Sequence, residues 1–395
     1  MFEKSAFNFH FKVVIQLINA AYIHIPFCEH ICHYCDFNKV FLQGQPVEQY
    51  LESLNKEMEL TLQLAPTAHL NSIFVGGGTP TALNEVQLES LCKTINDRLP
   101  SNEKTEFTFE ANPGDLSKEK FQILHEAGVN RLSFGVQTFN DELLKKIGRV
   151  HRARDVFTSV ELAKEVGFEN ISVDLIYSLP GQTLTDFKET LNTSFSLDIT
   201  HYSGYSLIIE PKTVFYNLMK KGRLPLPGED MEAAMYEELL ETMDKHGFLQ
   251  YEISNFSRPG YVSKHNLTYW NNEEYYGFGA GAHSYINGMR RANFGPLKKY
   301  MDPLHVGRLP VLEETQPKRS ERMEEEMFLG LRKNEGVSIS RFKEKFGEDL
   351  LELFSEQIHD LQEKGLIESE HNHVKLTRKG RFLGNEVFQL FLGVV

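Results

Sequence analysis

From Ala21 to about His246, short apolar runs alternate with segments whose apolar positions recur every three to four residues. Runs of the first kind read as buried parallel strands, and segments of the second kind as amphipathic helices. The predicted strands are Ala21–Ile25, Ser72–Gly76, Glu106–Glu110, Arg131–Val136, Ile171–Ile176 and Tyr202–Ile208. Between and after them run helices over Pro46–Leu64, from Asn84 onward, Ser117–Gly128, Ala153–Val166, Thr185–Phe195 and Asp230–His246. Asn84 with Gln87 three residues on is a capping box, and Gly128 and Gly167 are placed to end their helices. Six strand–helix repeats imply a parallel sheet with right-handed crossovers. They are too few for a closed eight-stranded barrel, so the α/β fold expected is a partial, six-repeat parallel β/α barrel.

Beyond His246 the periodicity fades into aromatic- and Gly-rich stretches, Tyr251–Gly288, and Leu309–Arg319 reads as a linker. The tail gives helix, helix, a short hairpin (LIESE, HNHVKLT) and a last helix, the order of a winged-helix-like module. The division expected is an extension at 1–20, a core at 21–250, a segment at 251–319 and the winged-helix-like domain at 320–395. The first twenty residues read as a short extension or an added strand. Their apolar patch Val13–Ile18 is broken by Gln16, and no small-residue cleavage site follows, so no secretory signal is predicted.

Charge and cysteine usage narrow the function classes. Forty-two Lys and Arg against fifty-five Asp and Glu give a net charge of −13, which argues against a bulk nucleic-acid binder. No run approaches a spanning helix. Four cysteines in 395 residues do not make a disulfide scaffold, and the expected compartment is a reducing cytoplasm. Three of the four lie in Cys28-Glu-His-Ile-Cys32-His-Tyr-Cys35, directly after the first strand. Three thiolates on one loop can hold an iron–sulfur cube and leave one iron open to an outside ligand. A four-coordinate zinc also stays open, with His30 or His33 as the fourth ligand. Cys92 sits on a helix face as a core residue.

Gly76-Gly77-Gly78-Thr79-Pro80 follows an apolar strand, where glycines let backbone approach a ligand closely, although a tight turn explains them equally well. Glu110, Gln137 and Asp174 stand at or near the carboxyl ends of predicted strands, where ligands bind in parallel α/β folds. Asp174 lies among apolar residues and needs a partner if buried: a ligand, Arg149 or a backbone cap. Glu324–Glu326 reads as a solvated helix surface or a docking face.

The cysteine spacing, with Tyr34 before the last Cys, resembles the signature of the radical S-adenosylmethionine (SAM) superfamily. YIHIPFC, CDF, VGGGTPT, FEANPGD, SFGVQTFN, IGRVH and VDLIYSLPGQT resemble the branch that contains the oxygen-independent coproporphyrinogen III oxidase, over Ala21–Val395. The resemblance implies a [4Fe-4S] cluster on Cys28, Cys32 and Cys35. It also implies SAM contacts at Tyr22, Tyr34, Gly77, Gly78, Thr79, Glu110, Gln137, Arg149, Asp174 and Ile208, and reductive cleavage of SAM. No catalytic residue follows from it.

Within that branch the oxidases carry a further Cys two residues after the third, where this chain has Phe37. That departure, with HNLTYW at His265–Trp270, makes the chain similar to the heme-chaperone side of the family. The function implied is to bind heme and deliver it to client hemoproteins, membrane respiratory enzymes among them. Radical SAM decarboxylation of coproporphyrinogen III is the alternative. His265 is the candidate heme ligand, with a structural hydrogen-bond hub as the competing reading; Tyr269 and Trp270 are candidates to stack on the porphyrin, and His283 is a second candidate ligand. The resemblance also implies a homodimer.

Overall fold

A computed structural model describes residues 18–395; residues 1–17, most of the expected extension, lie outside the described residues. The six expected strands form in their expected places: β1 (Ala20–Ile25), β2 (Ser72–Gly77), β3 (Glu106–Ala111), β4 (Arg131–Gln137), β5 (Asn170–Tyr177) and β6 (His201–Ser206). They pair in sequence order, all parallel. Strand β1 is buried on both faces except at Tyr22, which explains its near-continuous apolar run.

The crossover helices also follow the sequence pattern. Helix Glu85–Arg98 starts on the Asn84/Gln87 capping box, and Lys118–Glu126 on the Ser117 hydroxyl. Helix Ala153–Val166 stops at Gly167, which adopts the left-handed conformation a C-cap requires. Cys92 is buried on its helix, as a core cysteine.

The region of faded periodicity enlarges the sheet. Tyr275–Phe278 lies parallel beside β1, making a seventh parallel strand. His283–Ile286, Met289–Asn293 and Val311–Thr315 continue antiparallel to that edge. The stretch read as a linker thus contains an edge strand. At the opposite edge Asn255–Ser257 pairs antiparallel with β6, and Leu249–Glu252 pairs antiparallel with Asn255–Ser257. Among the described residues this single sheet has twelve strands and does not close, as a partial barrel should not.

A buried carboxylate ties the seventh strand to the first helix, Val47–Leu64. Glu57 accepts from the Gly279 N–H at 2.8 Å, Asn293 Nδ2 at 2.6 Å and the Tyr300 hydroxyl at 2.6 Å. Tyr50, two turns earlier on the same helix face, donates to the His24 carbonyl and accepts from the Ala280 N–H. These bonds replace the repeating apolar pattern that announces the other strands.

The C-terminal module has its own core around Phe342, Phe354, Leu361 and Phe391. Its hairpin, Ile367–Glu370 with His373–Leu376, turns at His371 and Asn372, both at positive φ as a two-residue hairpin turn needs. Val337–Ser338 completes a three-stranded wing. The module docks through backbone bonds from Ile253 to Arg332 and from Asn334 to Tyr251. The Arg332 guanidinium lies 4.5 Å over the Trp270 ring. Glu324–Glu326 is neither a free docking face nor a solvated surface. Glu324 is buried and accepts the N–H groups of Gly393, Val394 and Val395, and Glu326 pairs with Lys345 at 2.6 Å.

Burial holds the Glu57 carboxyl up at about 7, against an ordinary 4.5. The folded group keeps its proton to a higher pH than the unfolded one. Its contribution is therefore fully present below about pH 4.5 and declines as pH rises toward 7. Urea unfolding of the parent and Glu57→Gln at pH 5 and 7.5 is expected to show the parent losing ground to the variant at the higher pH. Glu57→Ala, which orphans three donors, is expected to lower stability by roughly 2–4 kcal/mol.

Candidate functional site

The carboxyl ends of β1–β6 open into a cavity of about 280 Å³. Cys28 ends a two-residue strand, Phe27–Cys28, that pairs in parallel with Val40–Phe41 and so closes the cysteine loop at its base. Cys28 is buried, while Cys32 and Cys35 are partly exposed, and all three line the cavity. His33 fastens the loop from outside: its Nδ1 donates to the Lys146 carbonyl at 2.9 Å, its N–H to Ile147, and its carbonyl accepts from Phe215. That engagement leaves His33 a structural group, and His30 is exposed at the rim. Among the described residues no three His, Cys, Asp or Glu side chains converge to hold a single metal ion. Three thiols facing one shared cavity suit a polynuclear cluster, whose sulfur ligands stand further apart.

A relay of side chains joins the two ends of the loop. Thr79 Oγ1 donates to Cys28 Sγ at 3.6 Å and accepts from Asn112 Nδ2 at 3.1 Å. Asn112 Oδ1 accepts from Arg149 Nη1 at 2.5 Å, and Arg149 Nη2 donates to the Tyr34 hydroxyl at 3.0 Å. Burial pushes the Cys28 thiol up to about 11, while the Thr79 bond and nearby Lys39 act in the opposite direction. Arg149 Nε is buried without a partner, an unused donor beside the cavity.

The glycine run after β2 is constrained twice. Gly77 has φ +107°, and a Cβ there would fall 2.3 Å from the His24 ring. A Cβ at Gly78 would meet the backbone carbonyl oxygens of Ile25 and Phe27 at 2.7 and 2.8 Å. The run is thus required for the chain to pass close over β1 and present Gly77, Gly78 and Thr79 to the cavity.

Acidic and amide groups form the far wall. Glu110 accepts from the Gly77 N–H at 2.9 Å, and burial holds its carboxyl up at about 7, with Asp174 pushing the same way. Asp174 is held by the hydroxyls of Ser133 and Ser203 rather than by Arg149, and burial raises it as well. Gln137 sits at a register shift between β4 and β5 with φ +68°, a bulge that turns its side chain toward the cavity.

Eleven of the expected site residues therefore line one cavity: the three cysteines, Tyr34, Gly77, Gly78, Thr79, Glu110, Gln137, Arg149 and Asp174. Two expected SAM contacts lie off it. Ile208 is 68 % exposed, beyond the end of β6. Tyr22 lies behind the wall, with its hydroxyl on His24 Nδ1 at 2.9 Å and its ring stacked on Phe74. Sequence reasoning missed Asn112, Ser133 and Tyr205 as lining groups. Asn112 was findable as a polar residue just beyond the end of β3, whereas the other two look like ordinary strand alternation.

His265 is on helix Lys264–Trp270, well away from this cavity. It is 2 % exposed, with Nδ1 at 3.0 Å from Ser72 Oγ and Nε2 at 2.9 Å from the Tyr269 hydroxyl. Its ring stacks on Phe74 at 5.0 Å. Both nitrogens are occupied, so the expected heme ligand is placed as a hydrogen-bond hub that seals the amino-terminal end of the barrel. Tyr269 packs edge-on to His265 and Tyr275, and Trp270 carries Arg332, so neither ring offers a free porphyrin face. His283 is exposed at a strand start. His265→Ala is expected to lower unfolding stability by roughly 2–4 kcal/mol, read by denaturant titration, through the cavity and orphaned hydroxyls it leaves.

Residues 22–193 match the radical SAM superfamily, and residues 318–383 match the HemN C-terminal domain. The chain is 59 % identical over 377 residues to heme chaperone HemW of Bacillus subtilis, covering 95 % of this chain and all of that one. It is 48 % identical to heme chaperone HemW of Lactococcus lactis, over 96 % of this chain and 98 % of that protein. Among solved structures it superimposes on coproporphyrinogen III oxidase (HemN) from Escherichia coli with a TM-score of 0.84, at 24 % identity, over 96 % of this chain and 91 % of that one, a likeness of fold. With a cysteine-lined radical SAM cavity and relatives matched along nearly their whole length, the chain belongs to the heme chaperone HemW family.

Proposed function

We propose that this protein is a heme chaperone: it binds heme and hands it to hemoproteins, with a [4Fe-4S] cluster and SAM held in the cavity at the strand ends. The observation that carries this reading is the match to a heme chaperone across that relative's entire length. Phe37, 60 % exposed at the cavity rim, supports it against the oxidase alternative, because the family resemblance puts an additional thiol there in the oxidases.

The residues fit the cofactors. Cys28, Cys32 and Cys35 would hold three irons of the cluster, with the fourth facing the cavity. Tyr34, Gly77, Gly78 and Thr79 would receive the amino-acid portion of SAM, and Glu110, Gln137, Asp174 and Arg149 its remaining polar groups. Bound together, cluster and SAM supply one-electron chemistry. The chain's own part is to orient them. Arg149 offsets the negative charge of the thiolates and carboxylates, Thr79 donates to a ligand sulfur, and the raised Glu110 carboxyl can hold a proton near neutral pH.

Client hemoproteins, membrane respiratory enzymes included, are the proposed recipients, and the cytoplasm is the proposed compartment. No helix of the described residues is long and apolar enough to cross a membrane, so a membrane client would be met from its surface. A homodimer is part of the same proposal.

The test is anaerobic incubation of cluster-loaded protein with heme and then with an apo-hemoprotein. Stoichiometric binding followed by transfer is expected, with no protoporphyrinogen formed from coproporphyrinogen III. Protoporphyrinogen matched by 5′-deoxyadenosine would overturn the reading in favour of the oxidase. Cys35→Ala is expected to abolish stable iron loading. Arg149→Met is expected to weaken SAM about tenfold or more in equilibrium dialysis, since a hydrogen bond to a charged group contributes about 1.5–3 kcal/mol.

A further inference from the structure

A second cavity lies elsewhere. It measures about 670 Å³ and shares no lining residue with the cluster cavity. It opens at the seam where helix Glu229–Lys245 and strand Leu249–Glu252 meet helix Lys264–Trp270 and the C-terminal module. Its size falls within the roughly 300–1,000 Å³ usual for cofactor-sized ligands.

Its walls differ in chemistry, with Glu241 and Asp244 also on the barrel side. The barrel side presents apolar groups that are not fully buried: Leu249, 55 % exposed, with Val262 and Leu267 partly so. The module side presents cations: Lys333, Arg378 and Arg381. Two of these are neutralised, Arg378 by Glu237 and Glu241 and Lys333 by Glu335. Arg381 is different. Its guanidinium bonds Gln250 Oε1 at 2.7 Å and the Asn334 Oδ1, both neutral amide oxygens. Among the described residues no carboxylate pairs with it. A half-buried guanidinium held in place by two amides, at the edge of an apolar cleft, is prepared for a carboxylate brought by a ligand.

We infer that this seam cavity is the heme site, taking the macrocycle against Leu249, Val262 and Leu267 and a propionate on Arg381. This rests on the heme-chaperone reading above and adds the location. Heme matches both walls, being a flat apolar ring with carboxylates along one edge. The site also explains how the HNLTYW segment contributes while His265 stays sealed: Leu267, two residues on, faces the cavity, and His265 fixes the helix that carries it. Heme there would touch the core and the module at once, away from the cluster.

The experiment is heme titration of the cluster-loaded full chain, parent against Leu249→Glu and Arg381→Ala, with SAM affinity, iron content and urea midpoint measured in parallel. Leu249 is surface-exposed, so its variant is expected to fold normally. Leu249→Glu is expected to weaken heme binding at least tenfold, with SAM affinity and iron content unchanged, and Arg381→Ala is expected to weaken it by a smaller factor. Parent-like heme affinity in Leu249→Glu would overturn the location and leave the chaperone reading standing. So would a loss of binding in Phe37→Glu with Leu249→Glu intact, which would place heme at the cluster cavity. A parent chain that binds no heme at all would overturn both.

Discussion

The site depends on the Arg149 guanidinium. Cys28, Cys32, Cys35, Glu110 and Asp174 gather at the carboxyl end of the barrel, and charging them together in a partly dry cavity is unfavourable. Arg149 lies among them and bonds Tyr34 on one side and Asn112 on the other. Through Asn112 and Thr79 the same relay reaches Cys28, so both ends of the cysteine loop hang on one guanidinium. Burial works against its charge, but Tyr34, Cys32 and Cys35 hold it protonated. The planar fork is what the position needs, because it must make two bonds in fixed directions, which a lysine could not reproduce.

A second set of polar groups shapes the opposite end. Ser72, His265 and Tyr269 form one bonded chain and His201 and Tyr251 a second pair at the amino-terminal mouth, where an open barrel would otherwise admit water. Burial holds the His265 imidazole down near 3, so it is neutral and can accept from one hydroxyl while donating to the other. The barrel is therefore functionally one-sided. Its polar hub closes the bottom, and its charged cavity opens at the top.

The C-terminal module meets this closed end, not the cluster. Arg332 over Trp270, the backbone pairing near Tyr251 and the Arg381–Gln250 bond all join module to core beside helix Lys264–Trp270. The module's core is built from its own aromatics, with Ile253 of the barrel side packed against it. Two cavities at opposite ends of one chain, one lined by thiols and one roofed by guanidinium groups, suit a protein whose cofactor chemistry and cargo are kept apart.

The sequence by itself determined whatever depends on local periodicity and spacing. Alternating apolar runs set six strands and their helices to within a residue or two, and caps at Asn84 and Gly167 set the helix ends. The C-x3-C-x2-C loop, placed after the first strand, put three thiols on one cavity. Tertiary structure decided the rest. Tyr275–Phe278 became a strand because Glu57 and Tyr50 bind its neighbours across more than two hundred residues, a contact with no local signature. Glu324 became buried because three terminal N–H groups happen to meet it. Ile208 fell outside the cavity because β6 ends at Ser206, and the role of His265 was fixed by a serine at the start of β2. In each case a polar side chain's meaning lay in its partner, and partners distant in sequence are brought together only by the fold.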